Sequence, residues 1–231
     1  MDPGHFRDRT VLEGQQRTVG WPHRVDDRPG HRRQHHRHER EPSHPLTGRR
    51  PEWRHPDGDG IVVGTGPVDV EAYIDFGCPF CRQFELMSQA ALDRLLADRR
   101  ISFIRHPMDF LDAVSTTAYS TRAAAASAAA ADAGFFHDYA RTLFANQPPE
   151  GGPGLTDGQL VELGQAIGIT DPQFPETIRQ GRYLPWPPYV TQRATQRGVA
   201  GTPSVFVRGA AVPARPGPIA VAVEAALASP V

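Results

Sequence analysis

Residues 66–108 read as strand, helix and strand in immediate succession. "GPVDVEAYIDF" (66–76) is rich in Val, Tyr and Ile, which suit a pleated, half-buried surface, and "RISFIRHPM" (100–108) has the same character up to Pro107, which donates no ladder hydrogen bond. Between them "PFCRQFELMSQAALDRLLADRR" (79–100) is built of helix formers. Phe80, Phe84, Met87, Ala91 and Leu95 recur there at three-to-four spacing, an apolar stripe expected to pack into the core. A crossover of that length pairs its strands in parallel, so the chain is bound to an α/β sheet with a helix on its face. The only two cysteines, Cys78 and Cys81, stand at the strand-to-helix corner of this unit, with Pro79 and Phe80 between them.

The rest of the chain fits around that unit. "GIVVG" (60–64) is a short apolar run between glycines and reads as a first strand. Residues 109 to about 198 read as almost wholly helical: an alanine-dense helix at 115–134 stopped by Gly134, a second at 135–147, and a Pro/Gly loop at 148–154. A helix capped by Thr156 and stopped by Gly168 follows, then two more at about 172–181 and 187–197, closing at Gly198. "TPSVFVRGAAVPA" (202–214) reads as a hairpin turning near Gly209, and "GPIAVAVEAALAS" (217–229) as a last helix with Pro218 in its first turn. The expected domain is therefore 58–231, a split α/β fold with a helical block of about 109–198 inserted in its middle.

Residues 1–57 differ in kind. They hold eight of the ten histidines and 12 of the 25 arginines, peak in "HRRQHHRHER" (31–40), and show neither helical nor strand period, so a disordered segment is expected. They contain no continuous apolar run of the sort a secretory signal or a membrane span requires. The formal net charge of -1 gives no electrostatic reason to expect a nucleic-acid partner. The absence of lysine reads as a coding bias towards GC-rich codons rather than a physical adaptation.

The cysteine pair admits three readings: half of a metal site, an inert buried pair, or a reactive dithiol. A structural zinc site needs about four ligands; a single C-x-x-C supplies two, and His106 and His137, the only histidines of the expected domain, read as satisfied or solvent-facing. No metal and no other cofactor is expected. A disulfide between residues three apart closes too short a loop to restrict the unfolded chain much, which argues against a structural staple. The position favours the dithiol. A cysteine at a helix N-terminus has its pKa lowered by free N–H groups and the helix dipole, and Pro79 fits the first helical turn, where its missing N–H costs nothing. Cys78 is then the attacking thiol and Cys81 the resolving one, with Pro79 and Phe80 tuning a couple expected to be intermediate to oxidising.

"DFGCPFC" (75–81) after a strand, "GVAGTPSVFV" (198–207) before another, "HPMDFLD" (106–112) and the helical block together resemble the DsbA-like thiol:disulfide oxidoreductases of the thioredoxin superfamily, over about residues 58–231. The resemblance implies a thioredoxin fold with a helical insertion between its two halves, and protein thiol or disulfide substrates. It also implies a redox partner, not identifiable from sequence, that recycles the pair. It makes Pro203 a cis proline beside Cys78 and Cys81, leaving the Thr202 backbone free to pair with an extended substrate segment. Many relatives carry an acidic group six residues before the first cysteine. That position is Ala72 here, and Glu71 and Asp75, turned to the opposite face by strand alternation, are expected in surface or strand-end roles. The resemblance favours the cell envelope or another extracytoplasmic site. The sequence leaves open the oligomeric state, the direction of exchange and, as an alternative, a non-catalytic peptide- or partner-binding module on the same scaffold.

Overall fold

The computed structural model describes residues 52–229. Five strands form one mixed sheet: β1 (Ile61–Val63), β2 (Val68–Ile74), β3 (Ile101–Pro107), β4 (Ser204–Val207) and β5 (Ala210–Val212), in the order β1-β3-β2-β4-β5. Val68 of β2 faces Ile101 of β3 and Ile74 faces Pro107 in a parallel register, with α1 (Pro79–Ala97) as the crossover; the other pairings are antiparallel. β2 is thus central, and Val68, Val70, Ala72 and Ile74 on one of its faces are buried. The β4–β5 hairpin turns through Arg208 and Gly209, both at positive φ, as expected for a two-residue turn that follows the strand twist. The last helix, α7 (Pro216–Ala228), packs on α1, β2 and β4.

α1 buries Cys81, Phe84, Glu85, Ser88, Leu92 and Leu95, which corrects the expected stripe. Phe84 and Leu95 belong to it, but Phe80 is 69% and Met87 46% exposed, and Ala91 is half-buried. The buried face is rotated by about 100°, one residue, from the apolar pattern. It was masked because two of its members are polar: Ser88 is small, and Glu85 forms a buried ion pair with Arg105 of β3 at 2.9 Å.

The helical block lies between β3 and β4, as read from sequence. After a 3-10 turn at Asp112–Val114 come α2 (Tyr119–Asp132), α3 (Phe136–Ala145), α4 (Asp157–Ala166), α5 (Gln173–Arg179) and α6 (Trp186–Gln196). The alanines of α2 let α3, α4, α5 and α6 approach it from several sides. α2 starts four residues later than the alanine-rich run suggested, because Asp112 and Ser115 reach forward to accept the Ser120 and Tyr119 N–H groups. Thr156 and Gln159 form a reciprocal cap on α4, and Gly168, at positive φ, follows its end.

The expected boundary at residue 57 falls inside the described fold. Arg54 bridges to Ile61, and Trp53 packs edge-on against Trp186 and Tyr183 while its indole N–H reaches Asp132. One aromatic anchor without a flanking period left no sequence signal for this order. The disorder expected of residues 1–51 lies outside the described residues.

Candidate active site

Cys78 is the N-cap of α1, with extended backbone angles, and Pro79 opens the helix. The Cys78 carbonyl accepts the N–H groups of Cys81 (3.1 Å) and Arg82 (3.2 Å), closing the first turn and bringing the two thiols together. Cys78 is 5% exposed and Cys81 is wholly buried, the asymmetry expected of an attacking and a resolving thiol. Both are free thiols here.

The electrostatics divide the pair further. The Cys78 thiol is lowered to about 6, first by the hydrogen bond from the Cys81 thiol, then by the Thr202 side chain and the N–H groups of Cys81 and Phe80, against an opposing effect of burial. Burial pushes Cys81 well above the ordinary thiol range, and the neighbouring Cys78 sulfur adds to it. Pro79 offers no N–H, so the donors aimed at the thiolate are those of the next two residues. Phe80 projects outward beside them.

The Thr202–Pro203 bond is cis, and the Thr202 carbonyl lies 3.4 Å from Cys78 Sγ. The two halves of the fold therefore meet at the cysteines across 124 residues of sequence. Beside them a groove of about 520 Å³ is lined by Phe80, Phe84, Met87, Pro203, Ala214 and Arg215. The exposed part of the expected core stripe is one wall of this groove.

Asp75 corrects another expectation. It is fully buried, not a strand-end surface residue, because the chain leaves the strand after Ile74 and turns the side chain inward. Its Oδ1 accepts the Gly77 N–H and the Ser120 hydroxyl, each at 2.7 Å, and its Oδ2 accepts the Leu111 N–H at 2.8 Å. Burial is the main cause that raises its carboxyl to about 6. Its own N–H donates to Cys81 Sγ at 3.4 Å. Glu71 is half-buried and accepts from His106 at 3.2 Å, and Ala72 is buried in the sheet.

The helical block also grips the cysteine loop. Gln147, just past α3, donates to the carbonyls of Phe76 (2.9 Å) and Cys78 (3.0 Å), and Arg82 donates to the Phe144 carbonyl (3.0 Å). Sequence gave no reason to single out a glutamine after a helix. Of the histidines, His106 is buried on Asp59 and Glu71 and stacked on Tyr73, and His137 pairs with Asp93. His55, missed because it lay in the expected disordered segment, stands with Asp57 and Asp59 as three groups whose ligand atoms come within 4.8 Å of one another. Arg197 already pairs with both carboxylates, at 2.5 and 3.0 Å, and so neutralises the charge that a cation would need.

A family model described as Thioredoxin matches residues 58–221. Among solved structures the fold is similar to reduced DsbA from Mycobacterium tuberculosis, with a TM-score of 0.66, 26% identity, and coverage of 74% of this chain and 94% of that one. It is also similar to the reduced disulfide oxidoreductase DsbG of the same organism, at 0.65 and 26% over 74% and 89% of the two chains. BdbD from Bacillus subtilis shares the fold at 21% identity, a TM-score of 0.59, and 73% and 92% coverage. Curated relatives include the serine/threonine-protein kinase PknE of M. tuberculosis, 31% identical over 135 residues that make up 54% of this chain. The Na(+)/H(+) antiporter NhaA 3 of Salinispora tropica is 29% identical over 143 residues, 62% of this chain. The chain spans only 24% and 20% of the length of these two proteins. A C-x-x-C pair at a helix N-terminus, in a thioredoxin fold carrying a helical insertion, is an arrangement for thiol–disulfide exchange. The chain belongs to the thioredoxin family, in the DsbA-like form of thiol–disulfide oxidoreductases.

Proposed function

We propose that this chain is an oxidoreductase that exchanges disulfides with protein substrates through Cys78 and Cys81, running towards substrate oxidation. The observation that carries the reading is the opposed titration of the two thiols, Cys78 at about 6 and Cys81 well above the ordinary range. A thiolate stabilised in this way makes the reduced enzyme the favoured state, so the disulfide form is a good oxidant. A substrate thiolate attacks Cys78 Sγ, the bond to Cys81 breaks, and Cys81 leaves and takes a proton. A second substrate thiolate then attacks the substrate sulfur of the mixed disulfide and releases Cys78 as the thiolate. Two electrons pass from substrate to enzyme, and a separate redox partner returns the pair to the disulfide.

Thr202 and Pro203 present backbone to an extended substrate, whose apolar side chains fit the groove formed with Phe80 and Met87. Pro79 and Phe80 tune the couple by withholding one N–H and supplying another. Among the described residues no helix is long and apolar enough to cross a membrane. We place the activity outside the cytoplasm, where substrate disulfides persist. The test is oxidative refolding of a reduced, disulfide-containing protein by the wild type and by Cys78→Ser. The reading requires the variant to lose the activity. A Cys78→Ala/Cys81→Ala double variant that still binds a partner as the wild type does, alongside a wild type inactive in refolding, would support a binding module instead.

A further inference from the structure

Asp75 is a buried carboxyl at the redox site with no cation paired to it among the described residues. Its backbone brackets the cysteine pair: the N–H donates to Cys81 Sγ and the carbonyl accepts the Cys78 N–H at 3.1 Å. Its carboxyl ties together three segments: Gly77 of the cysteine loop, Leu111 after β3, and Ser120 of α2. The titratable side chains acting on it are Cys78 from α1 and Tyr119 from α2. Asp112, from the 3-10 turn, is one hydrogen bond away, on the Ser120 N–H. A carboxylate with no counter-ion in so dry a place is held only by its donors.

The exchange cycle supplies a proton for such a group. Reduction of the pair by two substrate thiols releases two protons; one goes to Cys81, and Cys78 remains a thiolate and takes none. We propose that Asp75 binds the second proton when the pair is reduced and returns it when the disulfide re-forms, acting through the charge on Cys78 as a positioning residue. No bond to Asp75 other than its O–H is made or broken. The Ser120 hydroxyl, which donates to the carboxylate, can turn to accept from the acid. The value of about 6 for this carboxyl, to which the Cys78 sulfur contributes, agrees with a group poised to change state near neutral pH. This inference rests on the exchange reaction proposed above.

The test is a reduced-minus-oxidised infrared difference spectrum of the whole chain from about pH 5 to about pH 8, labelled with carboxyl-13C aspartate. A protonated-carboxyl C=O band should appear on reduction, shift with the label and be absent from Asp75→Asn. In that variant the Cys78 thiolate should also form at lower pH, because a neighbouring negative charge has gone. Ser120→Ala, which leaves the carboxyl in place, should carry the band to higher pH, and it provides the readout should Asp75→Asn fail to fold. A wild type that exchanges disulfides but shows no labelled band, or keeps it in Asp75→Asn, overturns this inference alone. A wild type whose cysteines undergo no exchange at all overturns the proposed function and this inference with it.

Discussion

The low titration of Cys78 can be tested by its reactivity as a function of pH. With a pKa of about 6 in place of the ordinary 9.0, Cys78 is about 90% thiolate at pH 7, against about 1% for an unperturbed thiol. A weaker base is a weaker nucleophile: a Brønsted coefficient of about 0.4–0.5 over three units lowers the intrinsic rate some 15- to 30-fold. The net advantage is therefore only about 3- to 6-fold at pH 7, but about 30- to 60-fold at pH 5, where an ordinary thiol is almost wholly protonated. The assay is the rate of attack on a pyridyl disulfide between about pH 4 and about pH 9, with the modified residue identified by mass spectrometry. The expected profile reaches half its plateau near pH 6, with Cys78 as the site of first attack. An inflection at about pH 8 or above, or equal labelling of both thiols, refutes the reasoning. A stability effect follows from the same shift. A depressed pKa stabilises the folded reduced protein fully above about pH 9, and this contribution is lost as the pH falls through about 6. At pH 7 it amounts to about 1.4 kcal/mol, and it is absent from the oxidised protein, which has no thiol to ionise. Urea unfolding of the two forms at pH 5 and pH 8 should show the reduced form gaining on the oxidised one as pH rises.

The buried Glu85–Arg105 pair, with Arg105 also stacked over Phe103 at 4.7 Å, should behave as a unit. Glu85→Leu alone leaves a buried guanidinium without its partner and should cost about 3–5 kcal/mol in urea unfolding, whereas Glu85→Leu with Arg105→Met should recover most of that loss. Thr202→Ala removes a side-chain hydrogen bond that favours the Cys78 thiolate. The half-plateau of the reactivity profile should then move up by about one unit, with little change at pH 9.

Much of the fold was legible because its strongest signals are local. The strand–helix–strand unit, the Thr156 cap, the stops at Gly134 and Gly168 and the turn at Gly209 each depend on a few adjacent residues, and each stands where the sequence placed it. The redox pair was legible for the same reason, since Cys78 and Cys81 share one turn of helix. What escaped was set by long-range partners. The core face of α1 contains Glu85, which reads as a surface residue until Arg105, 20 positions away, is brought against it. Met87 and Phe80 read as core until the fold leaves them on a groove next to Pro203. Asp75 lies at the end of a strand, where alternation no longer predicts direction, and its partners Leu111 and Ser120 are 36 and 45 positions away. Trp53 and His55 were hidden in a segment whose composition is dominated by other residues.

The site places two acids of very different intrinsic strength, a thiol and a carboxyl, at nearly the same pKa. Cys78 comes down to about 6 because hydrogen-bond donors converge on its sulfur, and Asp75 comes up to about 6 because burial outweighs its donors. The signs of their effects on stability are opposite. The raised carboxyl contributes stability that is full below about pH 4 and lost as pH rises through about 6, so keeping it ionised at pH 7 costs the fold about 3 kcal/mol. The donors that tie Asp75 to Gly77, Leu111 and Ser120 keep that cost from being larger, and the same bonds fasten the cysteine loop to the helical block. An ionised Asp75 also opposes a thiolate at Cys78, so it restrains the oxidising power that the helix N-terminus and the Cys81 thiol supply. The direction of exchange thus depends on more than the two residues between the cysteines. It also depends on a carboxyl three positions before them and on the helical insertion that holds it in place.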